Sequence, residues 1–231
     1  MANNFFAKIK QLLTNSVSSN IETKAASSPQ SRSMPVFDKT FLFIADTHGL
    51  LASHVGDELK NIIIRNADKC DACFLLGDID SRDLAVITSI LPKEKCFGIP
   101  GNHDEWDTLT KAGVTDLHNK VVTIDGVRIG GIGGCVRYKN HPTRAMLTQD
   151  EATEILEQLD AADILISHAP AGCWTNDCLP DHPHAGFRAI DEYMEKHSVF
   201  YHFHGHLHDT FEYGAGDKKH QCIYQVQTVR L

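Results

Sequence analysis

Short apolar runs alternate with amphipathic segments along most of the chain. The apolar runs cover residues 41–45, 73–77 and 96–100, and the 3.6-residue spacing of apolar side chains between them predicts helices near residues 54–66 and 83–91. Strands and helices that alternate in this way form a partly parallel sheet with helices packed against it. We therefore expect an α/β fold.

The alternation continues in the second half of the chain. Two strands within residues 121–134 are joined at Asp125-Gly126, a dipeptide typical of a two-residue hairpin turn. A helix is predicted near 148–159, a strand over 163–168 and, after a long loop, a helix near 187–197. The strand from Tyr201 follows, and we interpret residues 210–231 as antiparallel strands.

The N-terminal residues differ in composition from the rest. Phe5, Phe6, Ile9, Leu12 and Leu13 share one helical face, and a Ser-, Asn- and Ala-rich stretch follows to about residue 33. We interpret residues 1–39 as a flexible tail with a short amphipathic segment and residues 40–231 as a single domain. The alternatives for the segment are weak contact with a membrane surface, an organellar presequence and a plain mobile tail.

Charge and cysteine content exclude some classes of function. The formal charge of −8 argues against broad binding to nucleic acid, which depends on a basic surface. Seven cysteines without regular spacing favour a reducing, cytoplasmic location. Cys70 and Cys73 form a CxxC, which we interpret as two thiols entering a strand because no second CxxC completes a zinc site.

Polar clusters follow five of the predicted strands. They are "ADTHG" (Asp46, His48), "GDIDSR" (Asp78, Asp80, Arg82), "GNHDE" (Asn102, His103, Asp104), "SHAP" (His168) and "GHLH" (His206, His208). Each cluster alone has an ordinary explanation as a turn, a helix cap or a surface histidine. Ligands in α/β sheets collect where strands end, and mixed oxygen and imidazole donors suit divalent cations. Together the clusters predict a site for two metal ions.

One stretch leaves an ambiguity that strand geometry does not resolve. "YHFHGHLHD" places His202, His204, His206 and His208 at alternate positions, which share one face of an extended chain. Gly205 interrupts the pattern and indicates a bend or a close backbone approach. The pairs before and after it are therefore expected to lie in different surroundings.

The five clusters occur in the order found in the calcineurin-like metallophosphoesterases, which the chain resembles from about residue 40 to its C-terminus. The resemblance implies two packed mixed β-sheets flanked by helices. It also implies that Asp46, His48 and His208 bind one metal, that Asn102, His168 and His206 bind the other, and that Asp78 bridges them. His202 and His204 would then be strand residues, with orientation of a ligand as the alternative for His204.

The same resemblance implies a mechanism. Two divalent ions, manganese, iron, zinc or nickel, would share a hydroxide that acts as nucleophile. His103 would be the general acid, and Asp104 would orient its imidazole, with a helix N-cap as the alternative for Asp104.

Two substrate contacts are implied less directly. Arg82 matches the phosphate-binding arginine of the protein-phosphatase branch imperfectly, because Ser81 and Asp83 replace an Asp and a Gly of that motif. Its alternative is a solvated arginine at a helix start. His184 lies in a His-x-Gly near the end of the long loop and is either a phosphate contact or a plain loop residue.

These features predict a hydrolase of phosphomonoesters or phosphodiesters of small-molecule size. A phosphoprotein phosphatase is the alternative that Arg82 favours. A non-catalytic protein-binding scaffold of the same fold is a further alternative, which the presence of His103 and of every expected metal ligand disfavours.

Overall fold

The computed structural model of the chain describes residues 35–174, 182–214 and 217–231. The tail, amphipathic segment and linker predicted within residues 1–39 lie outside these ranges, apart from residues 35–39. Those five residues belong to the fold, because Lys39 and Leu231 exchange backbone hydrogen bonds and Phe37 packs 6.0 Å from the ring of Tyr201. Phe37 and Lys39 thus pack and pair with residues of the folded chain.

Thirteen strands and five helices are present in the described residues. The strands are β1 (Thr40–Ala45), β2 (Ala72–Leu75), β3 (Cys96–Gly98), β4 (Thr115–Asp116), β5 (Lys120–Ile124), β6 (Val127–Ile132), β7 (Cys135–Val136), β8 (Met146–Leu147), β9 (Ile164–Ser167), β10 (Tyr201–His204), β11 (Phe211–Tyr213), β12 (Lys219–Cys222) and β13 (Gln225–Arg230). The helices are α1 (Asp57–Asn66), α2 (Ser81–Ile90), α3 (Thr108–Lys111), α4 (Gln149–Gln158) and α5 (Arg188–His197).

The strands form two main sheets. The first has the order β13-β1-β2-β3-β4 and is parallel except for β13. The second has the order β11-β12-β10-β9-β6-β5 and is parallel from β12 to β6, with antiparallel strands at both edges. β7 and β8 form a separate small parallel pair.

The two sheets pack face to face with helices on their outer sides. Phe43 of β1 stacks on Phe203 of β10 with 4.3 Å between ring centroids, in a buried cluster drawn from both sheets. The alternate residues of β1, Leu42 and Ile44, lie in a second cluster with apolar side chains of α1 and α2. A third cluster holds apolar side chains of α4, α5 and β9. This confirms the fold predicted above, and it explains why the central strands are apolar on both faces.

Helix boundaries follow from side-chain caps. α2 begins two residues before the predicted start at 83, because the carboxylate of Asp80 accepts hydrogen bonds from the backbone of Arg82 and Asp83. Thr148 and Glu151 cap α4 reciprocally. The predicted hairpin is confirmed, with Asp125 and Gly126 both at positive φ between β5 and β6.

The prediction for the C-terminal strands is correct only in part. β11 pairs antiparallel with β12, and β13 pairs antiparallel with β1, as expected. β12, however, lies parallel to β10, because the chain reverses direction twice between them and then returns to the edge of β10. Among the described residues, no helix combines the length and apolar character needed to cross a membrane.

Candidate metal centre

The polar clusters lie at the carboxyl ends of parallel strands in both sheets. Asp46 and His48 follow β1, Asp78 follows β2, and Asn102 follows β3, all from the first sheet. The second sheet contributes His168, which follows β9, and His206 and His208, which follow β10. Because the sheets face each other, these loops meet at one edge of the molecule, and the structure brings all seven side chains together.

Asp78 occupies the middle of this group. Its Oδ2 lies 3.7 Å from Nε2 of His48 and 3.6 Å from Nε2 of His168, so it stands between two sets of donors. Its Oδ1 accepts a hydrogen bond from the backbone N–H of His103 at 2.7 Å. This carboxylate is buried, and it lies within reach of donors from both sets.

The first set of donors consists of Asp46, His48 and His208. Nε2 of His48 lies 3.3 Å from Nε2 of His208, which in turn lies 3.6 Å from Oδ1 of Asp46. That carboxylate oxygen is buried, and among the described residues no donor lies within hydrogen-bond distance of it. An unpaired buried oxygen is costly, and a divalent cation among these atoms would satisfy it.

The second set consists of Asn102, His168 and His206. Nδ1 of His168 donates to the carbonyl of Leu76 at 2.8 Å, which leaves an electron pair on Nε2 of the neutral ring. Nε2 of His206 likewise donates to the carbonyl of Pro183, at 2.6 Å, and leaves an electron pair on Nδ1.

These two electron pairs face each other. Nε2 of His168 lies 3.1 Å from Nδ1 of His206 and 3.0 Å from Oδ1 of Asn102, so with both rings neutral three electron-rich atoms converge. A metal cation among them would relieve their repulsion, as would a proton on Nε2 of His168, since the charges of Asp78 and Asp46 outweigh burial and raise the pKa of this ring. The residues of both sets therefore fit divalent metal ions, and backbone carbonyls hold the rings of His168 and His206 in the tautomer that a metal needs.

The backbone around these side chains is unusual. Asp46, His48, Asp78, His206 and His208 all have φ between 45° and 72°, a region that residues with a Cβ seldom adopt. Strain of this kind persists at functional sites, where the surrounding structure enforces it.

Two glycines allow the loops to approach. A Cβ on Gly205 would lie 2.7 Å from Oδ2 of Asp46, and a Cβ on Gly101 would lie 2.3 Å from Oδ1 of Asp78. Neither position can hold a larger residue without moving a candidate ligand.

His103 lies next to both sets but belongs to neither. Its ring meets that of His48 edge-on, with 5.3 Å between centroids, and burial lowers its pKa while the charge of Asp78 opposes that change. His103 also lines an open cavity of about 630 Å³, together with Lys111 and Arg144. It can therefore reach a molecule held in that cavity and the edge of the metal centre at once.

Asp104 has contacts that neither sequence interpretation anticipated. Its buried Oδ2 accepts hydrogen bonds from the backbone N–H groups of Asp78 at 2.7 Å and Gly101 at 2.8 Å. Within the described part of the chain it has no hydrogen bond to the imidazole of His103, and the cap residue of α3 is Asp107 instead. Burial, and then the charge of Asp78, raise the pKa of Asp104 to about 7. Its carboxylate therefore joins the two loops that carry Asp78 and Asn102.

Arg82 and His184 lie at the rim of the site. The exposed guanidinium of Arg82 pairs with Asp80 at 2.7 Å and lies against Gly49, so it has the contacts of a helix-start arginine. The ring of His184 is 5.2 Å from that of His206, between centroids, at the end of a short turn. His184 is thus near the second set of donors, whereas Arg82 is beside the loop of the first.

Several contributors were not anticipated from the sequence. The hydroxyl of Tyr138 accepts a hydrogen bond from Nδ2 of Asn102 at 3.4 Å, which orients the amide oxygen toward His168. Buried Asp83 accepts from the backbone of Gly49 and Ala52 and holds the loop after β1. In the sequence, the one feature that could have drawn attention to Asp83 is that it replaces the glycine of the phosphatase motif.

The first two histidines of the alternating stretch are strand residues. His202 and His204 lie in β10, fully buried, and none of the candidate ligands contacts their ring nitrogens. His204 contacts the hydroxyl of Tyr213 and the carbonyl of Gly205, so it borders the ligand His206 through the backbone alone.

Comparison with known proteins identifies relatives of the chain. The model of the family described as calcineurin-like phosphoesterase matches residues 39–210. An uncharacterized protein of Haemophilus influenzae is 27% identical over 209 residues, which cover 77% of this chain and 80% of that protein.

Two solved structures share the fold. TT1561 of Thermus thermophilus matches with a TM-score of 0.59 and 14% identity, over 84% of this chain and 99% of that one. The phosphopantetheinyl hydrolase of Mycobacterium tuberculosis matches with a TM-score of 0.55 and 15% identity, over 81% and 90% of the two chains. At these identities the likeness concerns the fold alone.

Proposed function

The chain belongs to the calcineurin-like phosphoesterase family and is a phosphoesterase, and we propose that it hydrolyses small-molecule phosphoesters with two divalent metal ions. The observation that carries the proposal is the convergence of six donor side chains around Asp78, in two sets of three that this carboxylate separates. The unpaired oxygen of Asp46 and the facing electron pairs of His168 and His206 support a cation in each set.

The protein groups have distinct tasks in this proposal. When bound, a pair of divalent ions supplies an activated water and neutralises charge on the phosphoryl group. Asp46, His48 and His208 would hold one ion, Asn102, His168 and His206 the other, and Asp78 both.

His103 is the proton donor to the leaving oxygen. Its backbone is fixed by the hydrogen bond to Asp78, and its ring lies between His48 and the open cavity. A general acid has to reach the leaving group without serving as a metal ligand, and the position of His103 outside both donor sets and beside the cavity supports this role.

The cavity beside His103 supports a small-molecule substrate. Its volume of about 630 Å³ falls in the range of small-ligand pockets. Lys111 and Arg144 are its cationic lining residues; Lys111 pairs with Glu105 and Asp107, whereas Arg144 has no ion pair within the described ranges. Arg144 is therefore the side chain best placed to attract the anionic part of a substrate that lies outside the metal centre.

Arg82 supports the phosphoprotein phosphatase alternative less well. Its guanidinium is exposed and already paired with Asp80, so phosphate binding would have to replace that ion pair. A non-catalytic scaffold would not need the candidate ligands or His103, so the presence of all of them disfavours that alternative.

The decisive experiment is a substrate panel assayed with protein loaded with manganese, zinc, nickel or iron(II). Phosphomonoesters, phosphodiesters, cyclic nucleotides and a phosphopeptide are compared for the wild type, for Arg144→Ala, which removes an arginine that lines the cavity, and for Arg82→Ala, which removes one that pairs with Asp80. We expect turnover of small esters, a higher KM in Arg144→Ala and little change in Arg82→Ala. Preference for the phosphopeptide, with its loss in Arg82→Ala, would establish the alternative instead. Absence of hydrolysis with every metal would favour the scaffold.

A further inference from the structure

A second group of metal-ligand side chains lies apart from the centre just described. One atom each of Cys173, Asp191 and His220 lie within 4.8 Å of one another. They come from three elements: the turn Gly172–Trp174 after β9, helix α5 and strand β12. Sγ of Cys173 is 3.9 Å from Nε2 of His220, and Oδ2 of Asp191 accepts the backbone N–H of Cys173 at 2.9 Å.

A chain of buried hydrogen bonds fixes the tautomer of His220. The carbonyl of Ala169 can only accept, so the hydroxyl of Ser167 donates to it and must accept from Nε2 of His202, 2.7 Å away. Nδ1 of His202 then carries an electron pair, and it accepts from Nδ1 of His220 at 3.0 Å. Nε2 of His220 is therefore left with its electron pair directed toward Cys173.

The order of contacts distinguishes a metal site from a catalytic triad. In a Cys-His-Asp triad the imidazole lies between thiol and carboxylate and uses one nitrogen for each. Here Nδ1 of His220 is bonded to His202, which leaves Nε2 for the sulfur, and one ligand atom of each of the three residues lies within 4.8 Å of the other two. Convergence on one point is the geometry of ligands around an ion.

The donor types and spacing indicate which ion. Thiolate, imidazole and carboxylate together are typical zinc ligands. Around a tetrahedral zinc, sulfur and nitrogen ligands at their usual bond lengths are about 3.6 Å apart, close to the separation of Cys173 and His220. Burial lowers the pKa of His220 to about 4, so its ring is neutral at pH 7, as a ligand must be.

We propose that Cys173, Asp191 and His220 form a mononuclear zinc site, with His202 and Ser167 orienting the histidine ligand. The site borders an open cavity of about 770 Å³ that is lined by these residues and by Glu192. Bound zinc would join side chains of three elements, the turn after β9, α5 and β12. This inference goes beyond the proposed hydrolysis and does not depend on it.

Cobalt titration of the metal-stripped, full-length protein tests the proposal. Thiolate ligands give Co²⁺ an intense charge-transfer absorption in the near ultraviolet, and Asp78 and the six candidate ligands around it offer only oxygen and nitrogen. We expect this band to saturate with one Co²⁺ per chain, to be displaced by Zn²⁺, and to vanish in Cys173→Ser. It should persist in Asp78→Asn, since that residue belongs to the other centre.

A second pair of variants keeps the test decisive if Cys173→Ser fails to fold. Asp191→Asn keeps the thiol and should weaken Co²⁺ binding by at least the 10- to 100-fold seen when an outer partner of a ligand is removed. Glu192→Gln, a neighbouring carboxylate on the same cavity, should bind as the wild type does. Absence of the band in the wild type, its persistence in Cys173→Ser, its loss in Asp78→Asn, or equal affinity of Asp191→Asn and Glu192→Gln would each overturn the proposal.

Discussion

Replacement of Asp104 by asparagine and by alanine distinguishes a carboxylate that fixes the backbone from one that acts on His103. Both of its hydrogen bonds end on the same oxygen, Oδ2, and come from the backbone of Asp78 and Gly101. An asparagine oxygen in that position can accept both bonds. Alanine can accept neither and leaves two N–H groups unpaired in a buried region.

The expected magnitudes differ accordingly. Each unpaired buried N–H costs about 1–3 kcal/mol, so Asp104→Ala should lower the free energy of unfolding by about 2–6 kcal/mol. In Asp104→Asn the two hydrogen bonds no longer end on a charged oxygen and are therefore weaker. The substitution also removes the cost of burying a carboxylate, the cost that raises the pKa of Asp104 to about 7. We expect Asp104→Asn to stay within about 1 kcal/mol of the wild type at pH 7.

The raised pKa adds a pH dependence to this comparison in metal-free protein. The folded-state pKa of about 7 exceeds the ordinary value of 3.8, so Asp104 contributes its full stability at low pH. That contribution is lost as the pH rises from about 4 to about 7. The advantage of the wild type over Asp104→Asn should therefore shrink across this window.

Urea unfolding of the metal-free proteins, metal content and kcat/KM on the best substrate of the panel measure these effects. Asp104→Asn should keep its metals and most of its activity, whereas Asp104→Ala should lose both. Replacing a carboxylate that orients a catalytic imidazole with an amide lowers kcat by about 10⁴. A loss of that size in Asp104→Asn, with unchanged stability and metal content, would refute the backbone role and restore the role predicted from the sequence.

Three further substitutions test other parts of the centre. Asp78→Asn should reduce bound metal and hydrolysis together, by elemental analysis and assay, and normal values of both would contradict a bridging role. His103→Ala should keep its metals. It should lose on the order of 10² to 10⁴ in turnover on an alkyl phosphate, but much less on a nitrophenyl ester. Equal losses on the two esters would contradict the role of His103 as general acid. Gly205→Ala should lower metal content because its Cβ would lie 2.7 Å from the carboxylate of Asp46. Gly126→Asn, at a positive φ with open space around it, is the matched control and should keep its metals.

The parts of the fold that the sequence could predict have strong local signals. Apolar runs, amphipathic spacing and the Asp125-Gly126 turn identified the central strands, four of the helices and the hairpin. Strands β4, β7 and β8 have two residues each, too few to show a period, and α3 has only four. The parallel pairing of β12 depends on which sheet edge the chain returns to, and composition does not encode that choice.

The candidate site, like the fold, could be predicted from the sequence only in part. Its side chains could be grouped from sequence because parallel strands end at a common edge and the clusters follow those strands. The contacts of Asp104 could not, because its carboxylate binds the backbone of a loop 26 residues away. Cys173, Asp191 and His220 are separated by 18 and 29 residues, with no motif to link them.

Gly205 separates two uses of alternating histidines. Within β10, side chains alternate between faces, so Tyr201 and Phe203 enter the core between the sheets, and His202 and His204 lie on the opposite face. The strand ends at His204, and the backbone of Gly205 passes against Asp46 where a Cβ would collide. His206 and His208 then take positive φ, so their direction is no longer set by the alternation of the strand. Histidines at alternate positions are therefore hydrogen-bonded strand residues before Gly205 and candidate metal ligands after it. This change of role depends on the glycine, the one residue of the stretch that lacks a side chain.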